Sequence, residues 1–445
     1  MKIKPLRDAK HGPPARRYRH FAMTWGGIVG GCLISASLAM AAETATRPPQ
    51  AQQALERGFQ MAQQSQWPLA IRYFRQAQSA MPTDGAILFN LALAHNKASG
   101  HELVAMAWYQ AFLALEPDAK TAPQIHKRIT DIEVAAEIQI QRLLTTAHQA
   151  AGQITNSAEA APAFDRIARA EAESGDLAAA ERTVAKVGNA ARSAWALAQI
   201  AAAYAHAGNL DRALSQAGAI KAVAAKSWAL ADISAAIAKR GDFARAVKTT
   251  EGIGLGFEKA WAVSRVAALQ ARAGDIAGAR ALIEGIANDK PGPRAIVLAA
   301  LARKQSKTDL PWAADSAKSL LAEAVTAAGS IVNVGERAGV FSQIARAYAE
   351  LGDTANAEEI LTRMADGPNL YLGRHAVAKA EGAFAKAAAY YWSALAAKGE
   401  GNAQINDIEN LLRLVQGQAP AQVAISLAQA AEERARFLRE LRTVP

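Results

Sequence analysis

From about residue 160 the apolar positions recur in a fixed order. Phe164, Leu197, Leu230 and Val263 are followed three residues later by Ile167, Ile200, Ile233 and Val266, and then directly by Ala168, Ala201, Ser234 and Ala267. Large, large, small at this spacing predicts a helix with one buried stripe. Gly175, Gly208, Gly241 and Gly274 close these stretches at intervals of 33 residues, each followed directly by Asp176, Asn209, Asp242 or Asp275. A glycine in the left-handed conformation ends one helix, and the next Asp or Asn caps the free amides of another. The predicted unit is therefore helix, tight turn, helix. Ala180, Ala213, Ala246 and Ala279 stand one turn inside the second helix, where a small side chain lets paired helices approach closely. A fifth, degenerate copy begins near Arg294 with Ile296 and Ala300 and turns at Lys307-Thr308. A sixth returns after an insertion as Phe341, Ile344, Ala345, Tyr348, Gly352, Asp353 and Ala357.

Two further copies lie earlier in the chain. One carries Gly58, Ala70, Phe74, Ala77 and Pro82, the other Leu91, Ala92, Ala105, Tyr109 and Pro117, with an extra residue at its Ser99-Gly100 turn. Over roughly 51–117 and 160–366 the chain resembles the tetratricopeptide-repeat family, whose usual unit is about 34 residues. The central copies depart from that pattern in being one residue shorter and in lacking the closing proline. Ankyrin repeats share the shorter spacing, but their Thr-Pro-Leu-His signature is missing. The resemblance implies an all-α fold, a right-handed α-solenoid of antiparallel helix pairs, here two arrays joined by a long helix.

That joining helix is predicted from Pro123 to about Ala151, with Ile125, Ile129, Ile132, Ala136, Ile140 and Leu143 along one stripe. It fits a cap over the first array or a coiled-coil seam. The expected plan is a signal peptide or uncleaved anchor over 1–41, a first array over 42–122, the connecting helix and joint over 123–160, the 33-residue repeats over 161–367, and capping helices over 368–445. The last of these end in the charged run Glu432 to Arg442.

Composition narrows the class. About a quarter of the 445 residues are alanine, which favours closely packed helices, and 51% hydrophobic residues with 20% charged residues argue against disorder. The net charge of +10 looks like a nucleic-acid signal until it is located. Seven basic residues against Asp8 precede Met23, and without them the balance falls to +4. A nearly neutral body removes the main support for a nucleic-acid partner.

The basic segment is followed by an uncharged run, Phe21 to Ala42, ending in Ala39-Met40-Ala41. That order is the signature of an export signal, and about 21 such residues would also just span a bilayer as an anchor. Either way the body is expected on the far side of a bacterial inner membrane, periplasmic or anchored with the body in the periplasm. Val29-Gly30-Gly31-Cys32 is a poor lipoprotein box because the apolar run continues past the cysteine, and Arg16-Arg17 is a poor twin-arginine signal because Arg19 replaces the usual Phe. Cys32 is the single cysteine, so a cleaved chain would hold no thiol, which suits an oxidising compartment.

Catalytic signals are weak. The histidines are scattered without a second ligand at zinc spacing, and no carboxylate is expected near His95 and His101, which flank one turn. Gly252-Ile253-Gly254-Leu255-Gly256 lacks the following Lys-Ser of a phosphate loop, and no Gly-x-Ser-x-Gly elbow occurs. The chain is expected to be no enzyme, with no cofactor and no metal. In the resembled family the residue thirteen before the turn glycine lines the concave groove. Here it is Trp195, Trp228 or Trp261, with His206, Lys239 and Arg272 near the turns. These indoles fit two readings, a ligand ladder with a basic edge or wedges packed between repeats. A carboxylate clamp is not expected, since Phe89 and Leu93 replace the Lys and Asn it needs. The resemblance implies a scaffold for envelope protein partners; the ladder offers an alternative, a glycan- or peptidoglycan-binding face.

Overall fold

The computed structural model describes residues 47–445 except 189–192, 287–288, 306–312, 401–406 and 444–445. The export segment, its Cys32, and the Lys307-Thr308 turn lie outside the described residues. Among those described every regular element is a helix. The first array gives α1 (Pro49–Gln63), α2 (Trp67–Ala80), α3 (Gly85–Lys97) and α4 (Glu102–Leu115), and the long helix is α5 (Ala122–Gly152). The repeats give α6 (Ser157–Ser174), α7 (Leu177–Ala185), α8 (Ala194–Ala207), α9 (Leu210–Ala219), α10 (Val223–Lys239), α11 (Phe243–Glu251), α12 (Gly256–Ala273) and α13 (Ile276–Glu284). They continue through α14 (Pro291–Gln305), α15 (Ala313–Gly329), α16 (Val334–Glu350) and α17 (Thr354–Thr362). The chain ends with α18 (Pro368–Ala380), α19 (Phe384–Glu400), α20 (Ile408–Leu414) and α21 (Pro420–Arg442).

The turns follow the sequence rule residue by residue. Gly175, Gly208, Gly241 and Gly274 have φ of 93°, 92°, 86° and 104°. The amide of the next residue reaches back to Glu171, Tyr204 or Gln270 at 2.9 to 3.0 Å in three of these turns, which satisfies carbonyls that the helix end leaves free. Asp176, Asn209, Asp242 and Asp275 then accept from the amides of Ala179, Arg212, Arg245 and Gly278. The alanines one turn on are fully buried. Gly241 isolates the conformational cause, because a Cβ there would meet nothing within 4 Å. Gly241→Ala is expected to lower stability by about 1 kcal/mol through backbone strain, and Gly241→Asn by less, as read from the denaturation midpoint.

Helices α6, α8, α10, α12, α14, α16 and α18 are successive neighbours, and α7, α9, α11, α13, α15 and α17 pair with them. Ile167, Ile200, Ile233 and Val266 are all fully buried between the layers, each worth about 1.5–3 kcal/mol of apolar burial.

The terminal helices do more than cover the last repeat. α18 packs on α16 and α17, but α19 packs on α4, and α21 on α5 and α6. The series of neighbours thus returns to the first array, and Pro48–Pro445 forms one compact unit. α5, expected as a cap or dimer seam, gives its apolar stripe chiefly to α21.

The joint between the ends is polar. Arg75 stacks over the rings of Trp108 and Tyr371, 5.4 and 5.8 Å from their centroids, and its Nε lies 3.4 Å from Glu400. Tyr371 donates to Gln78 at 2.9 Å and Ser79 to Asp366 at 2.7 Å. Trp108 donates to Glu400 at 3.3 Å. Fully buried His95 lies 3.3 Å from Glu400 through Nε2 and 2.9 Å from His101 through Nδ1. This corrects the expectation that no carboxylate is arranged around the two histidines. Glu400 arrives from a helix far along the chain, a neighbour that local spacing does not encode.

Candidate functional site

The three repeated tryptophans project from α8, α10 and α12, and none is fully buried. Trp195 is the most open, 45% exposed, because its position near the start of α8 points away from the stripe carried by Ile200 and Ala201. Its ring meets that of Trp228 edge to face, 6.4 Å between centroids. Trp228 also packs on the core beside it, so it combines the two roles weighed for these residues. Trp261 is more of a wedge. It packs on the core of the later repeats and meets Phe257 at 6.2 Å, and a Cβ on Gly292 of α14 would lie 3.2 Å from its ring.

The six residues singled out from the sequence separate into two clefts. Trp195, Trp228 and His206 line one of about 390 Å³, together with Gln199, Ala202 and Asp232. Trp261, Lys239 and Arg272 line another of about 670 Å³, with Ala235, Phe257, Arg265 and Ala268. Trp228 and Trp261 make no ring contact, so the even three-rung ladder is in fact an indole pair and a separate indole with its phenyl neighbour.

Other lining residues come from distant parts of the chain. Arg436 and Arg439 of α21 line the first cleft beside Arg169 and Glu173 of α6. Glu173 is buried and ion-paired with both arginines, and it accepts from Gln199. Burial raises its carboxyl above the usual range, against the pull of Arg439 and Arg436. Burial likewise lowers the His206 imidazole, with Asp232 opposing. The sequence did hold a signal for the α21 arginines, the Glu432 to Arg442 run, but a charged terminal helix reads as a solvated cap until its packing partner is known.

In the second cleft Gln343 of α16 and Asn369 of α18 face the same space. Asp232 and Arg265 pair at 2.9 Å across neighbouring repeats. Arg272 lies close to Arg303 and Arg346, which share the single carboxylate of Glu350 at 2.6 to 2.9 Å. Burial, then Arg303 and Arg346, hold the Arg272 guanidinium below its ordinary value.

No set of three or more His, Cys, Asp or Glu among the described residues is placed to hold a metal ion. Among the same residues no helix is long and apolar enough to cross a membrane. Flat rings, amide side chains and guanidinium groups along two open clefts can bind by stacking and hydrogen bonding. No protein-family model matches the chain, and no curated protein is significantly similar to it. The fold alone therefore defines the class, an all-α protein of paired helices.

Proposed function

We propose that this chain is a non-enzymatic, tetratricopeptide-like right-handed solenoid, exported across a bacterial inner membrane and periplasmic or anchored through residues 21–42. It acts as a scaffold that holds an extended partner along the face of α8, α10 and α12. As an adaptor in envelope assembly or export, it would take a segment of another envelope protein. The alternative partner is a glycan strand, and one observation favours it. The Trp195 and Trp228 rings form an open pair whose indole N–H groups make no hydrogen bond among the described residues. Such rings offer flat apolar area at low entropy cost, next to the Gln199 and Asp232 groups that sugar hydroxyls require.

The reading is tested by incubating the folded protein with protein-free peptidoglycan and envelope polysaccharides, and separately with envelope proteins freed of glycan. Retention of envelope proteins supports the scaffold reading and retention on glycan the alternative, and in either case Trp195→Ala is expected to weaken it at least tenfold. Retention by neither fraction, or retention indifferent to Trp195, would remove the face from the account.

A further inference from the structure

Lys239 and Arg272 in the second cleft form no ion pair among the described residues, although Glu350 acts on Arg272 from a distance and Glu336 lines the same cleft, whereas Arg265 beside them is paired with Asp232. Arg272 also lies near two further guanidiniums, Arg303 and Arg346, that share one carboxylate, Glu350. The local charge is positive and incompletely matched. The same cleft presents the Trp261 and Phe257 rings, the latter 51% exposed, and the Gln343 and Asn369 amides, which make no hydrogen bond among the described residues. Cation, ring and amide, with the single Glu336 carboxylate outnumbered by Lys239, Arg265 and Arg272, thus face one space of about 670 Å³.

We propose that this cleft binds an acidic polysaccharide, a chain of uronic-acid residues, with Arg272 and Lys239 receiving its carboxylates and Trp261 and Phe257 receiving its ring faces. The inference rests on the glycan reading above. An arginine fork matches a carboxylate in geometry as well as charge. An acidic peptide would satisfy the two cations but leave the rings without a counterpart, since Asp and Glu side chains carry little apolar face. A uronic-acid residue brings an apolar ring face, hydroxyls for Gln343 and Asn369, and a carboxylate in one unit. A neutral glycan would leave Arg272 and Lys239 unmatched.

The test titrates the full chain with polygalacturonate and polymannuronate, with the same polymers after carboxyl reduction to the alcohol, and with poly-glutamate. The expected result is binding to a polyuronate that falls at least tenfold on carboxyl reduction and weakens with added salt. The double variant Arg272→Gln, Lys239→Gln should lose at least tenfold toward the polyuronate and bind the reduced polymer as the unaltered protein does. Equal binding of native and reduced polymers overturns the acidic assignment and leaves the glycan reading standing. Poly-glutamate binding as tightly as polyuronate overturns the polysaccharide assignment. Failure to bind any polyuronate, reduced polymer or envelope glycan defeats both. The comparison of native with reduced polymer uses the unaltered protein, so it decides the matter even if the double variant folds poorly.

Discussion

Glu432→Ala is expected to destabilise the protein by about 3 kcal/mol and to loosen α21 from α5 and α6. The carboxylate is 1% exposed and meets Arg166 at 3.0 Å, Arg169 at 2.9 Å and Arg436 at 2.8 Å. Removing one member of a buried ion cluster leaves its partners uncompensated, at about 3–5 kcal/mol. The lower end applies here because the three arginines are partly exposed and can be rehydrated. Glu432→Gln keeps the shape and should lose about half as much. The checks are the denaturation midpoint and hydrogen exchange over 420–442, which should rise in the alanine variant. An unchanged midpoint would mean that α21 is held by its apolar contacts, Leu427, Leu438 and their neighbours, without help from this cluster.

Acid should open the joint between the chain's ends. Burial, and then the neighbouring His95, push the His101 imidazole down to about 4. In the unfolded chain it titrates near 6.5, so as pH falls the unfolded state takes up the proton first. The contribution is therefore fully present above about pH 6.5 and is lost as pH falls to about 4. At 1.36 kcal/mol per unit this is about 2–3 kcal/mol after discounting for partial solvent access. Glu400 acts in the same direction at lower pH. Burial raises its carboxyl, but His95, Arg75 and Trp108 outweigh that and hold it below the usual value, so its contribution disappears when it is protonated. Midpoints measured from pH 7 to pH 4 should fall, and His101→Gln should flatten the upper part of the slope. A slope unchanged in that variant would place the acid sensitivity elsewhere.

The legible part of the fold was the local part. Gly208 followed by Asn209, with Ala213 four residues later, specifies a turn, a cap and a close helix approach within one short segment, and each is found where the pattern put it. Such features depend on backbone conformation and on neighbours within one helix pair, which periodicity encodes. The return of α19 to α4 and of α21 to α6 depends on pairings such as Arg75 with Tyr371 and Arg169 with Glu432, separated by hundreds of positions. Nothing in a repeat period announces them. The candidate face divides in the same way. Trp195 and Trp228 were legible because repetition marks them, while Arg436, Arg439, Gln343 and Asn369 became visible only when distant helices were placed beside the indoles. The even spacing of the tryptophans also concealed their differences, since Trp195 is open and Trp261 is seated against Gly292.

The central claim is that the exposed Trp195 indole, beside the partly packed Trp228, is a contact surface and not packing. Its most direct test is one protein, Trp195→Ala, measured for melting and for binding to both the envelope-protein and the glycan fractions. Trp195 is 45% exposed, so truncation should cost about 1 kcal/mol or less, well below the roughly 3–5 kcal/mol of a buried tryptophan. The account predicts a melting temperature within a few degrees of the unaltered protein, together with at least a tenfold loss of binding. A variant that melts far earlier, or that is stable and binds as before, would contradict it.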